Sequence, residues 1–75
     1  MKPYQNKSGK GGIAAYENGD DSIIIKFKGD RIYLYNTDAP GKKHVNKMKM
    51  LAEAGQGLAT YINKYVRENY AEKLG

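Results

Sequence analysis

Three polar side chains near the C-terminal end of this chain, Asn63, Arg67 and Tyr70, are separated by four and then three residues. On a helix that spacing puts them on one face. Together they offer a planar guanidinium for a phosphate, an amide for a base edge or a 2′-hydroxyl, and a ring for stacking. The same groups can instead tie a helix to strand-end or turn carbonyls. A second cluster, Lys42, Lys43, Lys47 and Lys49, surrounds the only histidine, His44. Its summed field suits an anion; its plain alternative is a solvated helix face. Cations in a first helical turn oppose the macrodipole by about 0.3–1 kcal/mol each, and a bound anion would relieve that. A third set is Lys26, Lys28, Arg31, Tyr33 and Tyr35. If these share a sheet face they form a basic, aromatic platform of the kind that stacks bases at about 1–3 kcal/mol each. The alternative buries both tyrosines.

Other chemistries find little to use. With no cysteine and one histidine, neither a disulfide nor a zinc site can be built, and no metal or cofactor is expected. Ser8 and Ser22 are the only serines, and no base with an orienting carboxylate accompanies them. We therefore expect no catalytic residues and no enzyme. Ser8-Gly9-Lys10-Gly11-Gly12 lacks the glycine spacing and the Ser or Thr of a phosphate loop. Asp20-Asp21 reads as turn chemistry rather than a cation site.

The elements that must position these groups follow from periodicity. Residues 1–11 are polar and basic and read as a flexible arm. Ile13 to Glu17 is a short strand ended by Asn18-Gly19-Asp20. Ser22 to Lys28 is a β-branched strand with Ile23, Ile25 and Phe27 on one face. Arg31 to Asn36 alternates again after Gly29-Asp30. The register of this hairpin is open. A two-residue loop pairs Phe27 with Ile32 and Ile25 with Leu34, leaving Tyr33 and Tyr35 with Lys26 on the other face. A three-residue loop pairs Phe27 with Tyr33 and Ile25 with Tyr35, and buries the rings.

Thr37 or Asp38 can cap a first helix near Pro40, running from about Lys42 to Ala54 and ended by Gly55. Val45, Met48, Leu51 and Ala52 line its apolar face. A second helix is expected from about Leu58 to Ala71, with Leu58, Tyr61, Ile62, Tyr65, Val66 and Asn69 in one stripe. The fold class is then α+β: a three-stranded antiparallel meander followed by two helices packed on one face, β-β-β-α-α, in two layers. Residues 12–71 form the single domain, and 72–75 a frayed tail.

Asn63-Lys64-Tyr65-Val66-Arg67-Glu68-Asn69-Tyr70 resembles the closing N-x-x-[IV]-R-x-x-Y of the KTSC family, a domain named for its place at the C-terminus of some lysyl-tRNA synthetases. Phe27 to Tyr35 is similar to that family's F-x-x-G-x-x-Y-x-Y hairpin, with Gly29 one position early. The resemblance covers roughly residues 12–70. It implies a small α+β module, suspected of RNA binding because of that company, and does not imply an enzyme.

Net charge is +5 from 13 basic and 8 acidic residues, enough to attract polyanions at low salt. The expected function is a non-enzymatic module binding RNA or another polyanion through Lys26, Tyr33, Tyr35, Lys42, Lys43, Lys47, Lys49, Asn63, Arg67 and Tyr70. The alternative is a protein-interaction or self-associating module, with a second copy or another protein as partner. No membrane partner is expected, since no apolar run approaches 18 residues, and a cytoplasmic location is the default.

Overall fold

Short strands rich in isoleucine and tyrosine, separated by glycine-bearing turns, build one twisted sheet. In a computed structural model that describes residues 1–7 and 12–75, the strands are Lys2–Pro3 (β1), Ile13–Asn18 (β2), Ser22–Phe27 (β3), Arg31–Asn36 (β4) and Glu72–Lys73 (β5). Among the described residues they lie side by side in chain order, all antiparallel. Helix α1 spans Lys42–Ala54. A short helix α2, Leu58–Tyr61, continues as a π-helical turn over Ile62–Val66. Helices and sheet make the two-layer α+β architecture, with α1 and α2 on one face.

The β3–β4 loop is three residues long, Lys28 to Asp30. Phe27 pairs with Arg31, Ile25 with Tyr33 and Ile23 with Tyr35. Both expected registers are therefore corrected: the tyrosines do face the core side, but two residues out of step with the pairing of Phe27 to Tyr33. Gly29 (φ 91°) and Asp30 (φ 64°) both take positive dihedrals in this loop. The core gathers Ile13, Tyr16, Ile23, Ile25 and Tyr35 from the sheet with Val45, Met48, Ala52, Leu58, Ile62 and Val66 from the helical layer.

The N-terminal segment is not a free arm. Lys2 and Pro3 pair with Tyr16 and Ala15, and the Tyr4 side chain is 7% exposed. Its hydroxyl accepts a hydrogen bond from the Leu58 backbone N–H at 3.1 Å, satisfying one of the orphan donors that open a helix. The Lys7 N–H donates to the Gly55 carbonyl at 2.7 Å, so the strap crosses the hinge between α1 and α2. Gly55 ends α1 at φ 75°, and a Cβ there would sit 2.7 Å from Cβ of Gln5. Glycine is required twice over, by dihedral and by the strap. Residues 8–11, including most of the glycine-lysine stretch, lie outside the described residues.

Entry to α1 is organised by Asn36 rather than by Thr37 or Asp38. Its Oδ1 accepts from the backbone N–H groups of Asp38 and Ala39, an Asx turn that carries the chain to Gly41 at the helix start.

The second helix stops five residues sooner than its periodicity suggests. The i→i+5 bonding keeps Ile62 and Val66 on the core but turns Tyr65 outward, to 58% exposed. Arg67 then adopts φ 52°, ψ −119°, and the Asn69 N–H donates to the Val66 carbonyl. This is a type II′ turn with arginine in the place that usually requires glycine. The tail is not frayed either. Ala71 N–H donates to Leu34 O and Leu74 N–H to Ile32 O, which lays β5 along the outer edge of β4. Unpaired backbone groups on that edge outweigh the helical preference of residues 67–71.

Candidate functional site: an arginine and tyrosine cleft

The early end of α2 and the arrival of β5 bring Tyr70 back over the sheet. Its ring lies 4.5 Å, centroid to centroid, from Tyr33 and edge-on to Tyr35 at 6.4 Å. Phe27 completes the aromatic wall, edge-on to Tyr33 at 5.6 Å. The Arg31 guanidinium carbon stands 6.0 Å from the Phe27 ring centre, within cation–π range. Across from this wall, the π-helical turn presents Asn63, and the II′ turn presents Arg67 and Glu68. Together these groups line an open cleft of about 730 Å³. That size fits a nucleotide-scale ligand.

Arg67 is held at the cleft by two constraints. Its Nε–H donates to the Asn63 carbonyl at 3.3 Å, which uses one of the five guanidinium donors. Its backbone occupies a dihedral region that costs a side-chain-bearing residue about 1–3 kcal/mol. Strain of this sort clusters at binding sites, where position matters more than comfort.

Of the candidate residues, the structure brings Asn63, Arg67, Tyr70 and Tyr33 together, although not on one helical face. The helix carries only Asn63 into the group. Tyr35 lies beneath the cleft and is 1% exposed, so it serves as floor rather than platform. Lys26 pairs with Ala15 and Ile32 and projects from the opposite side of the sheet to Tyr33; the basic, tyrosine-bearing sheet face does not form. Lys49 is committed elsewhere. Its Nζ donates to the Gly19 and Asp20 carbonyls at 2.5 and 2.8 Å and so holds the β2–β3 turn against α1. Lys42, Lys43 and Lys47 are exposed on α1 and do not line the cleft. His44 belongs to the packing of α1 on α2, with Nδ1 2.7 Å from the Tyr61 hydroxyl.

Phe27, Arg31 and Glu68 complete the site. Phe27 and Arg31 are in reach of sequence reasoning once the three-residue loop is known, because that register sets Phe27, Arg31 and Tyr33 on one face. Glu68 has no sequence signal, since its position depends on the II′ turn.

Burial pushes the Tyr35 phenol well above the ordinary tyrosine value, and the neighbouring Tyr33 and Tyr70 push it the same way. A folded-state value above the unfolded one means that the folded protein keeps a proton the unfolded chain gives up. The stability tied to Tyr35 is therefore intact below about pH 10 and falls as pH rises beyond it, by at most about 1.4 kcal/mol per pH unit. Urea titrations at about pH 9 and pH 11 are expected to show that loss, and Tyr35→Phe is expected to make it smaller. An unchanged loss in the variant would remove Tyr35 as its source.

Compared with known protein families, with curated proteins and with solved structures, the chain matches none. Among the described residues no helix is long and apolar enough to cross a membrane, and no three His, Cys, Asp or Glu side chains come together.

Proposed function

We propose that this chain is a small non-enzymatic module that binds single-stranded RNA in the cleft between β4 and the π-helical turn. The supporting observation is the convergence of Arg31, Arg67 and Asn63 with an aromatic wall around one space of about 730 Å³. Each group has a job that matches a nucleotide. The two guanidiniums take phosphate oxygens, where a planar fork outperforms an ammonium. The rings of Tyr70 and Phe27 stack a base. The Asn63 amide reaches a base edge or the 2′-hydroxyl. The resemblance of Asn63 to Tyr70 to the closing sequence of a domain found on some lysyl-tRNA synthetases points to the same class of ligand.

Titrating the protein into a fluorescein-labelled oligouridylate of about ten nucleotides, at about 50 mM salt, is expected to raise its anisotropy. Among the described residues the cleft's cations are Arg31 and Arg67, so two phosphate contacts and a log–log salt slope of about −1.4 are expected, shallower than the roughly −3 that a four-lysine site would give. Oligodeoxyuridylate of equal length should bind more weakly if Asn63 meets the 2′-hydroxyl. Flat anisotropy with RNA at low salt would overturn the reading.

A further inference from the structure

One group in the cleft opposes the binding of phosphate. Glu68 adds a carboxylate to a lining that also holds Arg31 and Arg67. Among the described residues the ion pair that forms joins the Met1 ammonium to Glu17, so neither arginine neutralises Glu68. A negative charge left in a cationic cleft weakens the pull on every phosphate. A carboxylate accepts hydrogen bonds and donates none, so its natural counterpart is a donor. Apart from the 2′-hydroxyl, the donors of RNA lie on the base edges.

The local backbone sets Glu68 beside the stacking ring. Glu68 is the third residue of the II′ turn, and its carbonyl accepts from the Tyr70 N–H at 2.9 Å. The carboxylate and the ring therefore line one cleft from a single braced segment. Asn63 lines the same cleft from the π-helical turn. It gives its backbone carbonyl to the Arg67 Nε–H, which leaves the side-chain amide for a ligand. A base stacked on Tyr70 can thus meet one amide donor and two carboxylate oxygens.

One donor and two acceptors complement the Watson–Crick edge of guanine. Its O6 accepts, while N1–H and N2–H donate side by side, as a guanidinium does to a carboxylate. Uracil has a single donor, N3–H, between two carbonyls, and one of those would face a carboxylate oxygen. Adenine and cytosine each offer only an exocyclic amine, next to a ring nitrogen that accepts. We infer that Glu68 and Asn63 make the cleft selective for guanine in single-stranded RNA, with Glu68 accepting from N1–H and N2–H and Asn63 donating to O6. This selectivity rests on the RNA-binding reading of the cleft and adds to it the base that is read.

Anisotropy titrations at low salt test the inference with four labelled chains: the oligouridylate, and the same chain carrying one guanosine, one inosine or one adenosine at its middle. The guanosine chain is expected to bind about 10-fold more tightly than the all-uridine and adenosine chains. Inosine keeps O6 and N1–H but lacks the 2-amino group, so its chain should fall between. Glu68→Gln exchanges one acceptor oxygen for an amide donor at nearly constant size. Glu68 is exposed, so the variant should keep the parent's melting temperature. Its preference for guanosine over uridine is expected to shrink to about 2-fold or less. Its affinity for the all-uridine chain should hold or rise, because a charge that repels phosphate is gone. A guanosine preference undiminished in Glu68→Gln, or an equal loss for all four chains, would overturn the inference. So would a parent protein that binds all four alike, a result that leaves the RNA-binding reading intact. Flat anisotropy with every chain would remove both.

Discussion

Tyr4→Ala is expected to leave the chain largely unfolded at 25 °C. The ring is 7% exposed, and truncating a buried aromatic costs about 3–5 kcal/mol. Removing the hydroxyl also strands the Leu58 N–H that donates to it, at about 1–3 kcal/mol for a buried donor left without a partner. A 75-residue domain with no cysteine to form a disulfide has only about 3–5 kcal/mol to lose. Tyr4→Phe separates the two contributions. It keeps the ring, and its cost should be only the stranded donor, which lowers the melting temperature but leaves a folded protein. Circular dichroism melts of the three proteins decide it. If Tyr4→Ala melts within a few degrees of the parent chain, the N-terminal strap is not part of the fold.

Arg67→Gly is expected to do two opposite things at once. At φ 52°, ψ −119° glycine is at ease and arginine is not. Relieving that strain, less the extra freedom glycine gains in the unfolded chain, should add about 1 kcal/mol. For a domain of this size that is a rise of about 4–8 °C in melting temperature. The same change removes a guanidinium from the cleft. A charge-assisted hydrogen bond contributes about 1.5–3 kcal/mol, so RNA affinity should drop by about 10- to 100-fold. Arg67→Lys keeps the charge and the strain but loses the planar fork. It should bind with intermediate affinity and gain no stability. A more stable Arg67→Gly protein with undiminished affinity would show that Arg67 sits at the cleft without serving it.

Much of the fold can be read from local pattern. The bounds of α1 fall at Lys42 and Ala54, because its apolar spacing is regular and Gly55 is an unambiguous stop. Strands β2 to β4 stand where alternation and turn residues place them. What could not be read has a common physical origin in contacts far apart along the chain. Ile23-Ile24-Ile25 is apolar on both faces, so period two alone cannot choose the β3–β4 register. Tyr4 sits in a polar stretch, and only its docking beneath Leu58 makes it core. Nothing local announces that the helix ends at Val66, because the ending is dictated by Tyr70 packing on Tyr33 and by Ala71 and Leu74 bonding to β4. The candidate site shares this division. Asn63, Arg67 and Tyr70 are visible as a spaced trio, yet what brings them to Tyr33 is a turn and an edge strand, not a helical face. Lys26 and Tyr35 leave the site for the same reason that Phe27 and Arg31 join it, the three-residue loop.

The first and last strands occupy opposite margins of one sheet. Tension between residues 1 and 75 would therefore run across the strands, along the direction of the interstrand hydrogen bonds rather than at right angles to it. Bonds loaded in that direction yield one pair at a time, beginning with the two-residue ladders at the rims, so the domain would peel open under a gentle pull instead of resisting it by shear.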